Sequence, residues 1–176
     1  MEIAPAMIRI LVFSLFYATV CLFALIRGGA PERIGALVLI ADFELSLFVV
    51  GPMAGRFSGV EWPMFWVDLS AFAAVYALSL VSTRYWPIWM AALQGCVAVS
   101  HIAGLRNDML PWVYGTVVAA WSYLLLVILA FATTRHIRRL ARDGLDPAWF
   151  WQLPESYRRR RFVAQSAFLQ RLQEFR

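Results

Sequence analysis

The chain holds 176 residues, of which 61% are hydrophobic, 15% aromatic and 15% charged, and its mean hydropathy is +0.65. Soluble domains carry about 45–50% apolar and about 25% charged residues, so both departures point to lipid. The composition excludes a disordered chain and, with two cysteines, a disulfide scaffold; sixteen arginines and no lysines against eleven acids leave a formal charge of +5.

Five apolar runs of roughly 20 residues follow one another, at about 10–26, 34–52, 63–82, 87–104 and 112–134. They predict an all-α, polytopic integral membrane protein: a five-helix transmembrane bundle over 1–134, then a basic tail over 135–176. The first run follows a weak n-region (Glu2, Arg9) and meets no small-x-small cleavage pattern before Arg27, so it reads as a retained anchor. Gly28 and Gly29 stop that helix, and Pro31 and Glu32 open the next; Pro87 opens the fourth after a tight connection at Thr83–Trp86. Connections this short make sequence neighbours antiparallel neighbours.

Arginine placement orients the bundle. Arg27, Arg33, Arg84 and the ten arginines after Thr134 fall on one side, thirteen in all, while Arg9, Arg56 and Arg106 fall on the other. The positive-inside rule then puts the N-terminus outside and the C-terminus in the cytoplasm of a cell-membrane protein. Tryptophans agree, with Trp62, Trp66 and Trp112 at the outer boundary and Trp86, Trp89, Trp149 and Trp151 at the inner one. A four-span arrangement that omits the second run divides the arginines 12 to 4, so the count alone does not choose between them.

The second run is the least apolar. Asp42 and Glu44 oppose insertion by roughly 5–7 kcal/mol, and its Leu, Ile, Phe and Val residues return roughly 3–7 kcal/mol. Such a helix inserts with its neighbours and turns its acids from lipid. Two positions apart, Asp42 and Glu44 lie about 200° from one another around the axis and cannot share a face. Structural acids, an ion or proton path, and a subunit contact are all open readings of the pair.

A depth count along the helices places Asp68 roughly 7–8 Å below the outer boundary, His101 roughly 5 Å, and Glu44 roughly 12 Å. Asp68, His101 and Tyr114 are thus expected in one outward polar layer with Glu44 beneath it. One histidine with no HxxxH, HExxH or ExxH pair makes a poor metal centre, and no cofactor is predicted. Gln94, in the middle of the fourth run, suits a hydrogen bond between helices. There is no GxSxG, P-loop or GxGxxG pattern, so no catalytic residue is assigned. Small residues at four-residue spacing (Ser70 and Ala74; Ala92, Cys96, Ser100 and Gly104; Gly115 and Ala119) read first as packing faces inside the bundle and second as a homo-oligomer face.

Beyond Thr134 the fifth helix is expected to run on into the headgroups through Arg138 and Arg139, ending at Asp143-Gly144. Trp149, Phe150 and Trp151 suit the interface, and Arg158, Arg159, Arg160 and Arg161 begin a basic stretch with an apolar edge of Phe168, Leu172 and Phe175. That stretch is open to three readings: a solvated helix, a helix lying on the anionic inner leaflet, or a docking helix for a protein partner. Nucleic acid is not an expected partner, because one short arginine run without a binding fold does not make an interface. Two functions remain. One is a non-enzymatic membrane subunit or scaffold whose tail meets lipid or a partner; the other is a small transporter or proton-coupled permease using Asp42, Glu44, Asp68 and His101. A membrane-embedded enzyme would need a metal in the Asp68–His101–Tyr114 layer.

Overall fold

Each of the five apolar runs yields one helix in the computed structural model, which describes residues 3–50, 62–102 and 111–153. The helices are α1 (Ile3–Arg27), α2 (Ala30–Val49), α3 (Trp62–Val81), α4 (Trp86–Ile102) and α5 (Pro111–Asp143), followed by a 3₁₀ turn at Phe150–Gln152. Segments Met7–Arg27, Trp62–Val81 and Ala120–Asp143 are long and apolar enough to cross a membrane. The other two fall short for visible reasons: α2 carries Glu32, Arg33, Asp42 and Glu44, and α4 has 17 residues.

Local chemistry sets the helix ends. Gly29 caps α2, with Pro31 and Glu32 in the first turn, while the Arg33 side chain reaches back to donate from Nε to the Gly28 carbonyl at 3.0 Å. α5 runs nine residues beyond the apolar stretch, as the basic continuation predicts, and stops at Gly144. The φ of +70° there is a left-handed helix stop that glycine takes without a Cβ penalty.

Neighbours in sequence pack together, α5 closes the ring onto α1, and α2 meets α5 across it. Helical spacing explains the inward faces. Glu32, Ala36, Leu39 and Asp42 share one stripe of α2; Asp68, Ala71, Val75 and Leu78 share one of α3, with buried Ser82 just beyond its end. Trp86, Met90, Gln94 and His101 do so on α4, and Leu125, Leu129, Ala132 and His136 on α5. The stripes of α2, α3 and α5 are apolar in their middle and polar at one end or both, while that of α4 carries Gln94 at its centre.

The small-residue stripes are not where close packing happens. Ser70, Ala74, Ala92 and Cys96 are exposed, which overturns an intramolecular role for them, while Ser100 is half-buried and Gly104 and the surroundings of Gly115 and Ala119 lie outside the described residues. Rotation of α3 and α4 is decided instead by Asp68 and Gln94, whose hydrogen-bonding groups must meet in an apolar interior. Close approach occurs at Gly35, where a Cβ would stand 2.6 Å from Cη2 of the buried Trp86 ring. That ring is tied by its Nε1–H to Glu32 Oε1 at 3.0 Å and cannot swing aside without losing the bond. Gly35→Val is therefore expected to cost about 1–3 kcal/mol by overpacking, read as a lower thermal midpoint of the detergent-solubilised protein.

Candidate functional site

Two buried polar clusters lie at opposite ends of the inward stripes. In the first, α2, α3 and α4 each contribute. The Gln94 amide donates from Nε2 to Asp68 Oδ1 at 2.9 Å and to Asp42 Oδ1 at 3.3 Å, so one NH2 group serves two carboxylates. Asp68 uses its other oxygen for His101, whose Nε2 lies 2.6 Å from Oδ2. A carboxylate only accepts, so the imidazole donates there. Asp68, Gln94 and His101 are buried and Asp42 is half-buried. The result is a continuous polar string, Asp42–Gln94–Asp68–His101, and its Gln94 Oε1 is buried without a hydrogen-bond partner.

This arrangement revises the expected outward layer. Asp68 and His101 do meet, but the carboxylate beside them is Asp42; Glu44 is exposed on the opposite face of α2. The 200° separation allowed one acid inside, and Asp42 is the one that continues the Glu32–Ala36–Leu39 stripe. Tyr114 belongs to α5, with its side chain outside the described residues. Among the described residues no group of three His, Cys, Asp or Glu side chains converges as a metal ion would require.

The second cluster was invisible as a set in the sequence, because its members come from four separate places. Glu32 begins α2, Arg84 lies in the α3–α4 connection, His136 is near the end of α5, and Asp146 follows Gly144. Arg84 pairs with Asp146 by a direct Nη1–Oδ1 hydrogen bond and lies 3.6 Å from Glu32. His136 donates from Nδ1 to the second Asp146 oxygen at 2.7 Å. Glu32 is fully buried, and Arg84 and Asp146 retain side-chain exposures of 3% and 6%. Burial pushes the Asp146 carboxyl up, yet the hydrogen bonds from Arg84 and His136 outweigh it and hold the group below its ordinary range.

Backbone contacts extend this cluster into a clamp on the chain that leaves α5. The Thr83 amide donates to the Ala148 carbonyl at 3.1 Å, and its hydroxyl donates to the Pro147 carbonyl at 2.6 Å. Ser82 and Trp149 form an isolated antiparallel bridge, and Trp149 packs against the core. Trp151 stacks on Trp149 at 5.3 Å and is exposed, while Phe150 is half-buried. Of the residues expected to meet lipid or a partner, Arg138 points outward, whereas Arg139 brings Nε within 3.3 Å of Asp146. Arg158, Arg159, Arg160 and Arg161 lie outside the described residues.

Between the two clusters lies a dry layer. Leu39, Val75, Met90 and Leu129 are 6% exposed or less, and Leu39 stands on α2 between Glu32 of one cluster and Asp42 of the other. One signal for the second cluster existed: Glu32 lies seven residues before Leu39, on the same inward face of α2. Compared with protein-family models, with curated proteins and with solved structures, the chain matches none at a significant level.

Proposed function

We propose that the chain is a five-span integral protein of the cell membrane, N-terminus outside and C-terminus cytoplasmic, in which Asp42, Gln94, Asp68 and His101 form the proton-exchanging site of a small proton-coupled permease. The observation that carries this reading is the unbroken string of those four side chains inside an otherwise apolar bundle. Intramembrane ionisable groups are costly and are kept chiefly for ion or proton paths. Here α2 and α4, the two helices least able to insert alone, are the ones joined by the string through Asp42 and Gln94.

The chemistry is simple. His101 takes up a proton on Nδ1 and gives the one on Nε2 to Asp68 through their hydrogen bond, which leaves the imidazole neutral as its other tautomer. Asp68 then hands a proton to the ionised Asp42 carboxylate, which the shared Gln94 NH2 group holds beside it, and is itself left ionised. The layer of Leu39, Val75, Met90 and Leu129 then separates this site from the Glu32–Arg84–His136–Asp146 cluster, as alternating access requires.

Proteoliposomes loaded with a pH-sensitive dye test the reading when a potassium diffusion potential drives protons inward. The unaltered chain and Glu44→Gln should take up protons alike, and Asp42→Asn and His101→Gln should fall to the level of protein-free vesicles. Uptake that survives both latter changes overturns the relay.

A second reading, a membrane subunit or scaffold with no transport of its own, is favoured by a different observation. The clamp holds residues 146–149, which lead into the basic stretch, against the bundle. On that reading Arg84→Met, which frees the clamp, loses a co-purifying protein while proton uptake is absent throughout.

A further inference from the structure

Four residues of α5 spaced by four, Val127, Phe131, Arg135 and Arg139, stand on one face, about 6 Å apart along the axis. They line a groove of about 490 Å3 whose other wall is the start of α4, with Trp86 and Trp89. The volume lies within the range of about 300–1,000 Å3 typical of small-ligand clefts. The order of side chains along the groove is the useful feature. Val127 and Phe131 are exposed apolar groups, Arg135 is an exposed cation, and Arg139 keeps 28% of its side chain accessible. Trp89, at 66% exposure, faces the same space.

An apolar stretch that turns cationic over two helical turns, beside tryptophans, matches one molecule end to end: an acyl chain, then a phosphate. Scattered surface arginines would attract an anionic leaflet without choosing a lipid. A recess with apolar walls and two cations at one end selects a single amphiphile, as basic pockets between helices do at the cytoplasmic face. The N-terminal end of α4 adds its positive dipole at the same level. Arg84, which also lines the groove, is committed to Asp146, and Arg139 approaches the same carboxylate at 3.3 Å.

We propose that the α4–α5 groove binds one anionic glycerophospholipid, with its phosphate on Arg135 and Arg139 and an acyl chain along Phe131, Val127 and Trp89. The proposal rests on the membrane-spanning part of the proposed function and is independent of the proton relay. Resistance of the chain to alkaline carbonate extraction from membranes tests that shared premise separately.

The test uses the full chain, delipidated in mild detergent and titrated with phosphatidylglycerol or phosphatidylcholine under native mass spectrometry. One phosphatidylglycerol per chain should be retained, in clear preference to phosphatidylcholine. Arg135→Gln, an exposed change that does not touch the core, should weaken retention about 5-fold. Val127→Trp, which fills the apolar half, should abolish it with the helical circular dichroism unchanged. Equal binding of the two lipids, or retention unaltered in Arg135→Gln, overturns the site. Competition by glycerol phosphate as effective as by the lipid would mean a free-phosphate site, and overturns it equally.

Discussion

Asp68→Ala is expected to lower the unfolding free energy of the bundle by about 2–3 kcal/mol and to end proton uptake, whereas Asp68→Asn should keep most of the stability and still end uptake. Asp68 accepts from Gln94 and from His101, at 2.9 and 2.6 Å. Hydrogen bonds between membrane helices average about 0.6 kcal/mol with a maximum near 1.7, because helices unfolded within lipid also find partners. The two bonds therefore account for roughly 1–3 kcal/mol, and a charge-assisted contact belongs at the upper end. Asparagine retains an oxygen for the Gln94 amide and the shape of the side chain, so it separates stability from proton exchange. Steric trapping in bicelles gives the free energy, and dye-loaded vesicles give the flux. Were Asp68→Asn to conduct like the unaltered chain, the string would be structural glue and the permease reading would fall.

How the string could be read in advance, and how the clamp could not, has one physical cause. Asp42, Asp68, Gln94 and His101 sit inside apolar runs, where any polar side chain contradicts its surroundings and draws notice. Counting rise per residue brought Asp68 and His101 to one level, and they do meet, but it set Glu44 rather than Asp42 beside them. The choice between Asp42 and Glu44 was different. It needed the inward face of α2, which Glu32, Gly35, Ala36 and Leu39 define only when Glu32 is counted as an inside residue. Glu32 at a helix start looked like an ordinary favourable acid at the positive end of a helix, and Arg84 like one more loop arginine. Nothing local marks them as partners, since 52 residues separate Glu32 from Arg84 and 62 separate Arg84 from Asp146. Small-residue spacing misled for a related reason: it measures how close two helices can come, while the demand of buried polar groups decides which faces turn inward.

Arg84→Met is expected to have the largest effect on the cytoplasmic end, costing about 3–5 kcal/mol and freeing the segment after Gly144 from the bundle. The guanidinium sits between Glu32 and Asp146, and its removal leaves buried Glu32 without its cation and Asp146 with only His136 and Arg139 beside it. Breaking one partner of a buried pair is far more costly than replacing the whole set with neutral groups. The triple change Arg84→Met, Glu32→Gln, Asp146→Asn should accordingly recover most of the loss, and failure to do so would mean that the charges do not hold the clamp. Limited proteolysis reads the outcome: cleavage within 144–153 should rise sharply in Arg84→Met while α1 to α5 keep their helical signal. The same assay has a defined pH dependence. The Asp146 carboxyl, raised by burial but lowered further by Arg84 and His136, lies below its ordinary value of about 3.9 in the folded chain. A depressed folded value gives stabilisation that is complete above the unfolded one and is lost as pH falls through the folded one. Its share of the clamp should therefore be constant from about pH 5 upward and disappear only below about pH 4, in acid that protonates Asp146 itself. In Asp146→Asn that acid limb should be absent and the segment more readily cleaved than in the unaltered chain from about pH 5 upward, the two converging in acid, since the neutral amide keeps the shape of the contact and loses its charge.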